Sequence, residues 1–327
     1  MKLDSTARAL TRVEHTACVV CAADDARAYK RGMYAIGEQP FDLVRCRDCG
    51  FVYVDPRPDG ESLARLYEDP DYYTEGYNLG VETENYFERR AELLEMYDAT
   101  VEQIERERLG QRGALFELGS AGGFLLEAAR RRGWTVRGVE VSPVAAQYSR
   151  REFGLDVFEG LLADAPLESG SFDVAIADNV LEHTTDPGEV LRQLLATLRP
   201  GGSLIVIVPS YVNSIFFRAL IAIGALVPRS LIGEQLASLL KLNANAGHPY
   251  HILEFHRASL IRLLRSSGYE IVSVEGSVPL PAHLFKQGGA GLRARCLRTV
   301  FRTLDKLMRM GWVPAARLRI VAQRPSA

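Results

Sequence analysis

From residue 114 onward the chain alternates between two kinds of hydrophobic pattern. Short β-like runs rich in apolar residues at Ala114–Leu118, Thr135–Glu140, Leu155–Phe158, Phe172–Ala177 and Ser203–Val208 read as buried strands. Between them, Phe124–Arg132, Pro143–Phe153 and Pro187–Leu198 carry helical spacing. Strands that alternate with helices predict an α/β domain, a parallel sheet covered on both faces. The alternation breaks from Tyr211 to about Ala246, an apolar stretch expected to form a helical lid at 210–246. It resumes with a helix at Arg257–Ser266, a strand at Tyr269–Glu275 and a last strand at Leu318–Gln323. Before that strand, Leu297, Val300, Phe301, Leu304 and Met308 fall at helical spacing within 292–310, with Arg295, Arg298, Arg302, Lys306 and Arg309 around them.

Upstream the pattern is different. Phe87, Leu94 and Val101 lie seven apart with Tyr97 and Ile104 between them, the stripe of an amphipathic helix, and Gly110 and Gly113 end it. Residues 17–60 carry turn residues and two cysteine pairs. The expected organisation is a small module at 1–60, a helical connector at 61–112, and an α/β domain at 113–327 that contains the lid.

Charge adds one feature. The formal total over 327 residues is −2, yet residues 61–112 hold 14 acids and 6 bases, and residues 286–327 hold 10 bases and one acid. The balance argues against a general nucleic-acid binder, while the basic segment leaves an anionic membrane surface open as a contact for 292–310. The competing reading is a helix packed on the sheet with solvated arginines. No signal-peptide pattern opens the chain, and its most apolar window, Ile215–Val227, is too short to span a bilayer. A cytoplasmic location is expected.

Cys18-Val-Val-Cys21 and Cys46-Arg-Asp-Cys49 lie 24 residues apart. Two residues between thiolates let both sulfurs converge on one ion, and two such knuckles close a tetrahedral shell. Cys18, Cys21, Cys46 and Cys49 are therefore the expected ligands of a structural Zn2+. A closed four-sulfur site has no open position for catalysis. Residues 17–60 carry six bases and seven acids, a poor footprint for phosphates.

The first strand of the α/β domain runs into Glu117-Leu-Gly119-Ser120-Ala121-Gly122-Gly123-Phe124. Small residues here let the backbone approach a ligand at the carboxyl edge of the sheet. A dinucleotide fingerprint started at Gly119 requires glycines at 121 and 124 but meets Ala121 and Phe124, so a diphosphate is poorly served. A nucleoside needs only close approach, a hydroxyl acceptor and an apolar slot. Glu140 ends the second strand 21 residues after Gly119, where a carboxylate accepts from both ribose hydroxyls.

Five segments then match a family in order and spacing: Glu117-Leu-Gly-Ser-Ala-Gly-Gly123, Gly138-Val-Glu140-Val-Ser-Pro, Gly170-Ser-Phe-Asp173, Asp178-Asn-Val-Leu-Glu182-His183 and Leu198-Arg-Pro-Gly-Gly202. The sequence resembles class I S-adenosylmethionine-dependent methyltransferases, closely over 113–208 and more loosely over 247–275. Leu43-Val-Arg-Cys46-Arg-Asp-Cys49-Gly-Phe-Val-Tyr followed by Asp71-Tyr72-Tyr73 resembles their zinc-ribbon subgroup, which includes deoxysugar C-methyltransferases and enzymes of glycan and secondary-metabolite pathways. The resemblance implies a Rossmann-like seven-stranded sheet whose last strand is antiparallel. It implies that Glu117, Gly119, Ser120 and Gly123 line the methionine part of S-adenosylmethionine and that Glu140, followed by Val141, holds the ribose. Asp178 and Asn179 would close the site beneath the sulfonium. Leu161 and Leu162 stand where many members place an acid near the adenine amine, so Leu162 is expected to contact adenine through apolar and backbone atoms. Ala121 replaces the middle glycine of the motif, a mild change.

Methyl transfer is an in-line displacement, and an oxygen or carbon nucleophile must lose a proton. His183, after the fourth strand, has the reference pKa of a general base, and its neighbour Glu182 orients it or binds substrate. The resemblance to the zinc-containing sugar methyltransferases implies that this pair is catalytic; the alternative is a histidine that only hydrogen-bonds its loop. His248, His251 and His256, with Glu254 among them, are not spaced for helical ligation and are expected to form a lid hinge and a helix start, with His251 facing substrate. Tyr72 and Tyr73 either pack or close over the cofactor. The leading expectation is methyl transfer to a small-molecule or glycan acceptor. A zinc-ribbon scaffold with a vestigial pocket and a nucleic-acid methyltransferase are the alternatives.

Overall fold

The computed structural model describes residues 12–36, 39–68, 73, 85–210, 212, 251–277, 299, 302–303 and 305–326. The expected lid, apart from residues 210 and 212, lies outside these, as do Tyr72, His248 and most of 292–310.

The chain opens with β1 (Val13–Glu14), β2 (Ala26–Ile36), β3 (Gln39–Cys46), β4 (Val52–Val54) and β5 (Arg57–Pro58), then α1 (Gly60–Glu68) and α2 (Arg90–Glu107). The α/β part follows as β6 (Ala114–Leu118), α3 (Phe124–Arg131), β7 (Thr135–Glu140), α4 (Pro143–Phe153), β8 (Val157–Glu159), β9 (Phe172–Asp178), α5 (Pro187–Thr197) and β10 (Leu198–Pro209). It closes with β11 (Leu253–Glu254), α6 (Arg257–Ser266), β12 (Glu270–Ser277) and β13 (Arg317–Gln323). Local chemistry sets several boundaries. Pro143 and Pro187 occupy the first turns of α4 and α5, where a missing N–H costs nothing, and Asp186 accepts from the Glu189 amide at 2.8 Å. Gly154 ends α4 at φ 65°.

Seven strands form one sheet in the order β12-β13-β10-β9-β6-β7-β8. β8, β7, β6, β9 and β10 run parallel, and β13 is antiparallel to both β10 and β12. This is the Rossmann-like α/β sheet expected from the sequence, with Leu318–Gln323 as its antiparallel strand. Strand alternation decides which residue meets which layer. Along β10, Leu204, Val206 and Val208 join one apolar cluster and Ile205 and Ile207 the other; along β9, Ala175 and Ala177 oppose Val174 and Ile176. The first cluster takes in α5 and α6, the second α2, α3 and α4.

The connector helix covers that second face. Its stripe is rotated slightly from the expected one, so that Leu93 rather than Leu94 is buried, together with Val101 and Ile104. Phe87 precedes the helix in a short 3-10 turn, Tyr86–Arg89. Glu105 is buried and accepts from Arg112, Arg132 and Trp134 at 2.8, 2.8 and 3.3 Å, which holds its carboxyl down at about 2.

The cysteine segment contains more strand than its turn residues suggested. β2 and β3 form a hairpin whose burial pattern lacks clean alternation, and its register shifts twice. β4 extends it, and β11 adds to β4 from the far end of the chain, giving the order β11-β4-β3-β2. Phe51, Val52 and Val54 belong to the same apolar cluster as α5 and α6, so this small sheet shares a core with the α/β part.

Within 292–310, residues 305–309 are helical, Met308 is buried in the core, and Arg302, Lys306 and Arg309 are exposed. Among the described residues no helix is long and apolar enough to cross a membrane.

Candidate functional site

The carboxyl edge of the sheet collects the residues singled out from the sequence. β6 ends at Leu118, and the Gly119 and Ser120 amides both donate to the Val139 carbonyl of β7, at 2.8 and 3.1 Å, which turns the chain sharply toward α3. Gly119 sits at φ 69°, and a Cβ there would lie 2.6 Å from the Val180 side chain. Gly123 sits at φ 75° against Leu155 and Ser149. Both positions need glycine for conformation and space together. Ala121 also occupies the left-handed region, at φ 46°, where an L-residue is strained. Its replacement of glycine therefore carries a local cost in backbone strain, beyond the mild change expected.

Glu140 is buried at the end of β7. One carboxylate oxygen accepts from the Ala121 amide at 2.7 Å and the other from the Ser142 amide at 2.8 Å. Burial raises its pKa, opposed by these amides and by a hydrogen bond from Tyr73. The Tyr73 ring packs on Tyr86 and Phe87, so this tyrosine both packs and braces the carboxylate. Val141 follows at the strand end, partly exposed.

Glu117 is 4% exposed, and one of its oxygens has no hydrogen-bond partner. Burial drives its pKa well up, with the charges of Asp178 and Glu140 adding to the effect. The buried Ser120 hydroxyl also lacks a partner. Two orphaned polar atoms beside a glycine turn fit the charged methionine end of S-adenosylmethionine, since buried polar groups otherwise find partners.

Asp178, at the end of β9, meets Arg317 at 2.9 and 3.1 Å and the Asn179 side-chain amide at 3.0 Å. Asn179 takes φ 54°, a conformation asparagine tolerates. No sequence signal marks Arg317: it opens β13, 139 residues away, and only the antiparallel pairing brings it here. Leu162 lies in a short 3-10 turn, Leu162–Asp164, partly buried, while Leu161 is exposed.

Glu182 and His183 belong to a 3-10 turn after β9, Leu181–His183. Glu182 is fully buried and neither carboxylate oxygen finds a hydrogen-bond partner in another residue; burial first, then the charges of Asp178 and Glu254, raise its pKa, opposed by its own backbone amide and by Arg317. His183 Nε2 lies 3.8 Å from Glu182 Oε1, and the His183 ring stands edge-on to His251 at 4.8 Å. Desolvation, then the His183 imidazole, lowers the His251 pKa to about 3. The Ile252 amide donates to the Glu182 carbonyl at 3.0 Å, locking this segment to the turn. Glu254 accepts from the Tyr34 hydroxyl at 3.2 Å, and burial raises its carboxyl to about 7. Sequence spacing does not reveal Tyr34 and Glu254 as partners, because their contact joins β2 to β11 across 220 residues. His256, by contrast, caps α6 through the Ser259 amide, the helix start expected of it.

The four cysteines converge where β3 ends and before β2 begins. Cys18–Cys49 and Cys21–Cys46 sulfurs are 3.5 Å apart, and all four lie within 4.8 Å of one another. Zn–S bonds of about 2.3 Å place the sulfurs of a tetrahedral site about 3.8 Å apart. The two knuckles match: the Ala22 amide returns to the Cys18 carbonyl and the Gly50 amide to the Cys46 carbonyl, both at positive φ. The donor set fits zinc.

Residues 86–274 match the family model of a methyltransferase domain. The chain is 30% identical over 185 residues to the ubiquinone biosynthesis O-methyltransferase of Xanthomonas euvesicatoria pv. vesicatoria (strain 85-10), covering 53% of this chain and 70% of that one. It is 38% identical over 102 residues to the protein of the same name from Caulobacter sp. (strain K31), covering 28% of this chain but only 39% of the relative's length. Among solved structures, geranyl diphosphate C-methyltransferase from Streptomyces coelicolor A3(2) superposes with a TM-score of 0.47 at 16% identity, over 81% of this chain and 97% of that one.

Proposed function

Because the chain belongs to the class I S-adenosylmethionine-dependent methyltransferases, we propose that it transfers the methyl group to an oxygen or carbon nucleophile of a small-molecule or glycan intermediate. The cofactor, when bound, supplies an electrophilic methyl on a sulfonium. The new bond forms to the acceptor, the S–CH3 bond breaks, its electron pair stays on sulfur as S-adenosylhomocysteine, and the acceptor's proton leaves. Glu140 receives the ribose hydroxyls, with Val141 beside it. Glu117, Gly119, Ser120 and Gly123 take the methionine end, Asp178 and Asn179 floor the sulfonium, and Leu162 borders adenine. The proton leaves into the cluster of Glu182, His183 and His251, in which the His183 side chain is 14% exposed and Glu182 is sealed. The cysteine tetrad holds structural zinc and keeps β4 in place for β11, which carries Glu254 next to this cluster.

The observation that carries the cofactor reading is the buried Glu140 carboxylate braced by the glycine turn, with the orphaned Glu117 and Ser120 atoms beside it. Calorimetric titration with S-adenosylhomocysteine tests it: one site per chain is expected, and no binding by the folded protein overturns it. A basic C-terminal helix with Met308 in the core supports packing of that end on the sheet.

A further inference from the structure

Methyl transfer removes a positive charge from sulfur, so a fixed charge beside that sulfur acts differently on cofactor and product. The carboxyl edge of the sheet gathers negative charge. Asp178 ends β9 with its side chain 11% exposed, and Glu117 and Glu182 are buried in the same region. Burial first, then like charge that includes Asp178, raises the carboxyl of each. Arg317 answers this charge. Its Nη2 lies 2.9 and 3.1 Å from the two Asp178 oxygens, and its charge opposes the rise at Glu182.

The sheet itself puts the guanidinium there. Arg317 opens β13, paired with Pro209 of β10 on one side and Ser277 of β12 on the other. The Ser210 amide donates to the Ala316 carbonyl at 2.7 Å, and the Ala316 amide to the Ser277 carbonyl at 3.1 Å. These backbone bonds hold the start of the strand whatever side chain stands at 317. Asp178 is held separately by the Asn179 side-chain amide at 3.0 Å.

We propose that Arg317 sets the relative affinity of the site for S-adenosylmethionine and S-adenosylhomocysteine, acting through the Asp178 carboxylate. It is a positioning residue for charge. The inference rests on the methyltransferase reading, in which Asp178 floors the sulfonium. A carboxylate without a paired cation attracts a sulfonium strongly and a neutral thioether hardly at all. With Arg317 beside it, the field of Asp178 is partly cancelled before any ligand arrives, so charged cofactor and neutral product are bound more evenly. The residue that decides how firmly product is retained thus lies 139 positions from Asp178, outside every cofactor motif.

Isothermal titration calorimetry of the full chain tests this with both ligands and with sinefungin, which carries an ammonium-bearing carbon in place of the sulfonium. Arg317→Gln is expected to raise the ratio of S-adenosylmethionine to S-adenosylhomocysteine affinity about tenfold, with sinefungin following S-adenosylmethionine. Arg317→Met makes the same charge change without a hydrogen-bond donor and is expected to behave alike. Arg317→Lys keeps the charge and is expected to keep the native ratio. Adding Asp178→Asn to Arg317→Gln removes both charges and is expected to return the ratio to within about threefold of native. S-adenosylhomocysteine affinity close to native in the Arg317 variants shows that they fold. If both neutral variants leave the ratio within about threefold of native, lower it, or weaken both ligands equally, the proposal is overturned and the methyltransferase reading stands. The same holds if Arg317→Lys shifts the ratio as Arg317→Gln does, or if the double variant keeps the full rise. If neither ligand binds the native protein, the methyltransferase reading falls, and this inference with it.

Discussion

Glu140→Gln changes one oxygen of a buried carboxylate to an NH2 and leaves the volume unchanged. In the native site each oxygen accepts from a backbone amide, Ala121 on one side and Ser142 on the other. A glutamine satisfies one of them and presents a donor to the other. It also halves the acceptors available to a ribose diol. Hydrogen bonds to a charged group contribute about 1.5–3 kcal/mol each. With one ribose hydrogen bond removed and the turn disturbed on one side, S-adenosylhomocysteine binding is expected to weaken by about 2–4 kcal/mol, about 30- to 1000-fold in affinity. Isothermal titration calorimetry measures this directly. A cycle with 2′-deoxy-S-adenosylhomocysteine separates ribose recognition from turn disturbance: the native protein loses affinity for the deoxy ligand, and the variant is indifferent to the change. If the variant binds S-adenosylhomocysteine within threefold of the native protein, or if the two effects simply add, Glu140 does not hold the ribose.

Other outcomes follow from the same geometry. Gly119→Ala drives a methyl against Val180 at a left-handed position and is expected to destabilise by about 2–3 kcal/mol, whereas Ala121→Gly relieves strain and is expected to leave the thermal midpoint equal or higher. Calorimetric melting of the pair decides both. Cys46→Ser is expected to lower bound zinc from one per chain to a small fraction and to lower the melting temperature, since ribbon and sheet share one core; full zinc retention by elemental analysis would refute the tetrad. Glu117 has a folded-state pKa raised by burial, so its contribution favours the protonated protein: stability is present below the ordinary carboxylate pKa and is lost as pH rises through the raised value. The ligand-free protein is therefore expected to melt at lower temperature at pH 8 than at about pH 5, and Glu117→Gln to flatten that slope; an unchanged slope in differential scanning refutes the assignment.

How much of the fold is legible in the sequence depends on the distance between interacting residues. The strand at Thr135–Glu140 and the helix at Pro143–Phe153 are legible to the residue, since periodicity, proline and glycine act within a few positions. The β2–β3 hairpin is not, because its half-buried faces carry no clean alternation. Ala121 stands in plain view, but its left-handed backbone does not, since that strain arises from packing of the whole turn against β7. Spacing excludes His251 as a co-ligand of its sequence neighbours, and His256 indeed caps a helix; the pairing of His251 with His183 reaches back 68 residues along the chain.

The sequence by itself determined the α/β class, the order of strands and helices from residue 114 to 209, the cysteine tetrad and the cofactor motif. Each of these rests on spacing within one segment, and local backbone geometry turns such spacing directly into shape. Tertiary structure alone decided that Arg317 neutralises Asp178, that Tyr34 of the small sheet holds Glu254, and that Glu182 is sealed without a donor beside two imidazoles. These depend on pairing between strands far apart in the chain and on exclusion of water. Neither leaves a periodic trace in the residues themselves.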